Sequence, residues 1–233
     1  MIDVRQLTRT FPGSSIPALD GLSFTIGRGE VVALAGRNGA GKTSLLDVIG
    51  TLLLPSAGEA IVAGFDVACR ASDVRRHIGY AMAGARGLYT RLTVRQNLQF
   101  FAALHPQAHE PHARVDEVAD LLQLGPFIDQ PVRVCSDGML QRIVLARALL
   151  GRPSILLLDE PARALDPVAR RHIGGVIDGL LKAGDVGAVL YATHDLEAIE
   201  GSATRALVLS RGRLVYDGAP HCAEIARLLE DEP

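Results

Sequence analysis

Tryptophan is missing from this 233-residue chain, aromatic residues make up 4% of it, and cysteine occurs three times. Cys69, Cys135 and Cys222 are odd in number and far apart. They exclude a disulfide framework and fit a reducing compartment. No apolar run approaches the ~20 residues of a membrane-spanning helix. The chain is therefore expected to be soluble by itself, with any membrane role coming through a partner. The start, Met1-Ile2-Asp3-Val4-Arg5, lacks the basic region and apolar stretch of a signal peptide. A charge excess is also missing: 24 Lys and Arg stand against 26 Asp and Glu, which gives no argument for a nucleic-acid partner. There is neither an internal repeat nor a low-complexity linker, so residues 1–233 are read as a single domain that can bury a sizeable core.

What is present centres on Gly36-Arg37-Asn38-Gly39-Ala40-Gly41-Lys42-Thr43, which fits the phosphate-loop pattern G-x-x-x-x-G-K-[ST] at every fixed position. The apolar run Val31 to Ala35 precedes it as a buried strand, and Ser44 to Ile49 follow as a helix start. Glycines let the backbone curl so that successive N–H groups face phosphate oxygens, and the helix N-terminus adds partial positive charge. In this setting Lys42 reaches the β- and γ-phosphates and the Thr43 hydroxyl is a ligand for Mg²⁺.

Residues 2–27 alternate polar and apolar and are expected to form antiparallel strands with one solvated face. Phe11, beside the turn residues 12–15, is either a core aromatic or a base-stacking one. Residues 58–64 read as a returning strand, 70–77 as an exposed Arg-rich helix and 78–82 as a short strand. Residues 84–87 form a loop, and Thr93-Val94-Arg95-Gln96 is a capping box that opens a helix. His105, His109 and His112 lie among Pro106 and Pro111, a segment read as a solvated loop, with a metal site as the alternative. Helical periodicity returns over 114–124. Residues 85–150 are thus mostly helical, and an inserted helical subdomain of about that span is expected within an α/β core. Ser136 and Gly138 stand at the start of an apolar helix that stops at Gly151-Arg152-Pro153. Ile155 to Leu158 form a buried strand ending in Asp159-Glu160-Pro161, two acids at a strand end where open α/β sheets place ligand chemistry. A helix to about Lys182, a buried strand 188–193 ending at His194, a hairpin around Arg211-Gly212-Arg213 and a last helix over 221–230 complete the chain.

The order of these features resembles that of an ATP-binding cassette (ABC) ATPase, the nucleotide-binding subunit of an ABC transporter, from Leu7 to about Gly218. Its marks are the phosphate loop, then Ser136-x-Gly138 with Gln141-Arg142, then Asp159-Glu160-Pro161, Ala164-Leu165-Asp166 and a strand ending in His194-Asp195. The resemblance implies a P-loop NTPase (RecA-like) core with an N-terminal antiparallel β subdomain and the inserted helical subdomain. It implies ATP and Mg²⁺ as ligands, ATP hydrolysis, and the following roles. Phe11 stacks on adenine. Gly36, Asn38, Gly39, Ala40, Gly41, Lys42, Thr43 and Ser44 bind the triphosphate. Thr43 and Asp159, the latter through water, serve Mg²⁺. Glu160 is the general base, steadied by His194. Ser136 and Gly138 reach the ATP of an opposite subunit, and Asp166 communicates across that dimer. A homodimer, a separately encoded transmembrane permease and a place on the inner face of the cell membrane follow from the same resemblance.

Two departures stand out. The strand end that usually carries Gln reads Ala81-Met82-Ala83-Gly84-Ala85, and the run Gly87-Leu88-Tyr89-x-x-Leu92-Thr93 is similar to cassettes of drug, sodium or other ABC-2-type exporters. Asp137 stands where Gly or a basic residue is common, and its side chain is expected to face solvent or Arg142. Leu88, Tyr89 and Leu92 are expected either to line a groove for a partner helix or to join the local core. A soluble ABC ATPase acting on ribosomes or DNA is the alternative. Such proteins usually carry two cassettes or a coiled-coil insertion, and neither is found here. A GTPase would need an N-K-x-D motif, which is absent, and a small-molecule kinase would not explain Ser136-x-Gly138.

Overall fold

Consecutive apolar residues suit strands covered on both faces, and alternating ones suit strands with a wet face. Both kinds occur in the computed structural model, which describes residues 1–82, 84, 87–105, 110–161 and 165–230. The order is β1 Ile2–Arg9, β2 Leu19–Ile26, β3 Val31–Ala35, α1 Lys42–Ile49, β4 Ala57–Val62, β5 Phe65–Asp66, α2 Ala71–His77, β6 Ile78–Ala81, α3 Val94–Leu104 and α4 Pro111–Leu121. Two short 3-10 turns, Gly125–Phe127 and Val132–Val134, lead to α5 Asp137–Leu149, β7 Ile155–Asp159, α6 Pro167–Ala183, β8 Ala188–Thr193, α7 Leu196–Ser202, β9 Arg205–Ser210, β10 Arg213–Gly218 and α8 Cys222–Glu230.

The strands form an antiparallel sheet, β2-β1-β4-β5, and a six-stranded sheet, β10-β9-β3-β8-β7-β6. In the second sheet β9, β3, β8, β7 and β6 run parallel, and only β10 is antiparallel to its neighbour. Strand alternation sends Val32, Leu34, Ile155, Leu157 and Leu190 to one core, shared with α1 and the antiparallel sheet. Val31, Ala33, Leu156, Leu158 and Tyr191 go to a second core, shared with α3, α5 and α6. The helices α3 to α5 lie between β6 and β7 in the chain, as the 85–150 periodicity predicts. Among the described residues no helix is long and apolar enough to cross a membrane.

The capping box is present: Thr93 Oγ1 accepts from Gln96 N at 3.1 Å, and Gln96 Oε1 accepts from Thr93 N at 2.9 Å. One boundary differs from the sequence expectation. Helix α4 starts at Pro111, so Pro111 and His112 belong to it rather than to a loop. Proline fits there because the first helical residue needs no N–H partner and its φ is already helical. Leu88 enters the core, whereas Tyr89 stays half exposed with its ring edge-on to Phe100 at 5.0 Å. The link before α3 is held by Asn97, which is fully buried. Its Oδ1 accepts from Tyr89 N at 2.8 Å, and its amide donates to Tyr89 O and Thr93 O at 3.0 and 2.9 Å.

Candidate active site

The loop between β3 and α1 is pressed between two other segments, and its glycines follow from that. Gly36 has φ 156°, and a Cβ there would come 2.6 Å from Leu209 O on β9. Gly41 has φ 106°, and a Cβ there would come 2.5 Å from Ala18 O in the β1–β2 connection. Any side chain at either place would have to displace backbone. The β9–β10 turn adds support, with Gly212 N donating to Ala40 O at 3.0 Å. The loop borders a cavity of about 310 Å³, lined by residues 37–39 and 41–44 together with Ala18, Asp159 and Glu160.

Lys42 is 8% exposed. Its Nζ donates to Gly36 O at 2.6 Å and to Arg37 O at 3.2 Å, so the ammonium is held by its own loop. Burial pushes its pKa down, opposed by the charges of Glu160 and Asp159. Asp159 ends β7 and is 7% exposed. Its Oδ2 accepts from Thr43 Oγ1 at 3.2 Å. Burial pushes the Asp159 carboxyl up, the Thr43 hydrogen bond opposes this, and the neighbouring charges of Glu160 and Asp47 add to it. A hydroxyl and a carboxylate in contact at the cavity wall form a hard-oxygen pair. That fits Mg²⁺, which takes few protein ligands and fills its octahedron with water and phosphate oxygens.

Glu160 follows at the strand end. Its backbone is left-handed, φ 52°, and its N–H donates to Ala192 O on β8 at 3.0 Å. A left-handed non-glycine residue costs about 1–2 kcal/mol and persists only where its surroundings enforce it. The effect is to turn the side chain away from the strand, where Oε1 lies 2.8 Å from His194 Nδ1 at the end of β8. An ionised carboxylate only accepts, so this contact needs the imidazole proton on Nδ1.

Other residues singled out in the sequence lie apart from this cavity. Ser136 is the N-cap of α5: its Oγ accepts from Met139 N at 3.3 Å, and its own N–H donates to Met139 Sδ at 3.4 Å. Gly138 is in the first turn, and Asp137 is exposed. Neither Ser136 nor Gly138 lines the 310 Å³ cavity. Asp166 caps α6, its Oδ1 accepting from Val168 N and Ala169 N at 2.9 Å each. Those bonds, that of Ala169 first, hold its carboxyl below the usual range. Phe11 sits in the β1–β2 connection, 37% exposed, with the Arg9 guanidinium 4.8 Å from its ring centre. Ala83, Ala85, Pro106, His109 and Ala164 lie outside the described residues. His112 Nδ1 is 3.1 Å from Gln99 Nε2, and among the described residues no group of three His, Cys, Asp or Glu is placed to hold a metal. Ala18 and Arg37 line the cavity without having been singled out. Arg37 occupies a variable position of the motif, and Ala18 lies in the β1–β2 connection, its carbonyl against Gly41.

The family model described as "ABC transporter" matches residues 19–163. The ABC transporter ATP-binding protein NatA of Bacillus subtilis is 33% identical over 94% of this chain and 89% of its own. The probable multidrug ABC transporter ATP-binding protein YbhF of Escherichia coli is 38% identical over 94% of this chain, which spans 38% of that longer protein. A dimeric post-hydrolysis structure of the ATP-binding cassette MJ0796, bound to ADP and Pi, superposes with a TM-score of 0.87 at 26% identity, covering 95% of this chain and 99% of the other.

Proposed function

The chain belongs to the ABC transporter family as an ATP-binding, ATP-hydrolysing cassette, and from that premise we propose that it powers a membrane transporter by closing in pairs around two nucleotides. One observation carries the reading. The phosphate-loop cavity and the serine-capped tip of α5 are both suited to anions, yet the tip does not line the cavity of its own chain. A second copy, head to tail, would bring Ser136 and Gly138 to the γ-phosphate held by the first. The family likeness to a cassette seen as a dimer with ADP and Pi supports this arrangement.

In the closed pair Phe11 stacks on adenine. Lys42 gives up the carbonyls of Gly36 and Arg37 for phosphate oxygens, exchanging neutral acceptors for charged ones. Gly36 to Ser44 wrap the phosphates, Thr43 with Asp159 would hold Mg²⁺, and that ion, when bound, neutralises charge on the β- and γ-oxygens. Glu160 orients water in line with the γ-phosphorus and takes its proton as the bond to ADP breaks. His194 holds the Glu160 carboxylate in place through their hydrogen bond. Asp166, fixed at the start of α6, stands where the copies meet. The permease, a separate chain, docks on the face formed by α3 and the residues before it, where Tyr89, Phe100 and Leu104 are exposed. That partner places the cassette on the inner face of the membrane. Export is the direction inferred, from the similarity of the run Gly87-Leu88-Tyr89-x-x-Leu92-Thr93 to exporter cassettes.

Phosphate release by the purified chain tests this reading. The rate per copy is expected to rise with protein concentration before reaching a plateau, because only pairs are competent. A rate per copy that is constant down to concentrations where the chain is monomeric contradicts it.

A further inference from the structure

The start of α5 is held by sulfur. Ser136 Oγ accepts from Met139 N at 3.3 Å, and Ser136 N–H donates to Met139 Sδ at 3.4 Å, so both polar groups of the serine are tied to one methionine. A hydroxyl that accepts in this way keeps its proton to donate, and a thioether is a weak acceptor. Ser136 is exposed and Met139 is half-buried, partly packed on the core shared with α3 and α6. The chain has three methionines. Met1 sets its sulfur beside Gly187 and Met82 follows β6, so among the described residues only Met139 has its sulfur on a residue of the proposed second anion site.

Oxygen on that sulfur alters the corner in two ways. A donor reaches oxygen at about 2.7–3.2 Å, and the present 3.4 Å gap between nitrogen and sulfur has no room for an oxygen within it. The side chain must therefore move, and with it the support of Ser136. The S=O dipole also presents its negative end at a tip that is to meet phosphate, where it repels. The neighbouring Cys135 is a poorer target. Burial pushes its thiol pKa up, and the thiolate is the reactive form, whereas a thioether needs no deprotonation.

We infer that Met139 is a modification site: a hydroperoxide converts its thioether to the sulfoxide, and this closes the tip of α5 to the phosphate held by the opposite copy. The O–O bond of hydrogen peroxide breaks and one oxygen forms the S=O bond. Sulfur gives up two electrons, and the other oxygen takes both protons and leaves as water. Sulfoxide reductases reverse the change. The inference rests on the reading that the site is built from the cradle of one copy and the tip of another.

Mixing chains isolates this corner. Lys42→Ala chains lack a working cradle and Gly138→Asp chains a working tip, so a mixed pair turns over ATP only through the tip of the Lys42→Ala copy. One chain is treated with hydrogen peroxide, then with dithiothreitol to return reversible cysteine products, and mixed with its untreated partner at low ATP. Peptide masses read the sulfoxide at Met139. Treating the Lys42→Ala chain is expected to lower the recovered phosphate release at least about fivefold. Treating the Gly138→Asp chain is expected to change it by less than about twofold, because that tip is already blocked. General damage would act from either side. Methionine sulfoxide reductases are expected to restore the rate. In the Lys42→Ala chain, Met139→Leu or Met139→Gln removes the sulfur and is expected to hold the recovered rate within about twofold across peroxide treatment. Full recovery with Met139 in the sulfoxide form, equal loss from treating either chain, equal sensitivity without the sulfur, or no sulfoxide at Met139 overturns the proposal. No recovery with untreated chains overturns the two-copy reading, and the proposal with it.

Discussion

Glu160→Gln is expected to slow ATP turnover by about 100- to 10,000-fold, the range a positioned general base supplies, while ATP binding persists. The substitution is nearly isosteric. The left-handed backbone and the bond from Glu160 N to Ala192 O do not involve the side chain and remain. With its one oxygen kept by His194, the amide turns its NH2 toward the water and cannot take the proton that must leave as water attacks. His194 Nδ1, 2.8 Å from Oε1 in the native chain, keeps an acceptor in the amide oxygen. The loss therefore falls on the chemical step, and on the proposed mechanism a nucleotide-bound pair is expected to accumulate. Single-turnover phosphate release, measured beside ATP binding by filter or fluorescence titration, separates the two. Turnover at the native rate would remove Glu160 from the role of base.

Lys42→Ala is expected to act on the other half of the cycle. In the free protein the ammonium is desolvated and donates to the carbonyls of Gly36 and Arg37, and burial pushes its pKa down against the charges of Glu160 and Asp159. A triphosphate supplies the countercharge that the loop lacks. Hydrogen bonds to charged groups are worth about 1.5–3 kcal/mol, so losing this one weakens ATP binding by about 10- to 150-fold. The same desolvation means that the free protein gains little from the charge, and its melting temperature without nucleotide is expected to hold. Equilibrium titration and thermal melts check both halves. Unchanged affinity would mean that Lys42 stays on its own loop when nucleotide binds.

How far the sequence reaches depends on the range of each interaction. The phosphate loop and the strand-ending acids are legible because their geometry is set by neighbours in sequence: fixed glycine spacing in one case, a continuous apolar run in the other. The Thr93 capping box is legible for the same reason. Ser136 is also capped reciprocally, but by the thioether of Met139, and a methionine there gives no such signal. The left-handed turn at Glu160 is imposed by Ala192 on the next strand, and nothing in Glu160-Pro161 announces it. The bond of Tyr80 to Asp47 spans 33 positions and depends on how α1 lies across the edge strand. Ala18 enters the cavity wall because the β1–β2 connection folds back on Gly41. The sequence also has Leu88, Tyr89 and Leu92 as one group, but packing separates them, since Leu88 has room in the core and the Tyr89 ring settles on Phe100 and Phe101.

The decisive measurement mixes two defective variants at an ATP concentration well below the one at which the Lys42→Ala chain binds. Lys42→Ala lacks the cradle but keeps the tip of α5. Gly138→Asp keeps the cradle but adds a second carboxylate to that tip, beside exposed Asp137, where acid is well tolerated by the helix yet repels an incoming phosphate. Each alone is expected to be nearly silent. Mixed, random pairing makes half of the dimers hybrids with one intact composite site apiece, so phosphate release is expected to recover to about a quarter of the native rate. Silence of the mixture, or native activity of the Gly138→Asp chain by itself, would contradict a site built from two copies.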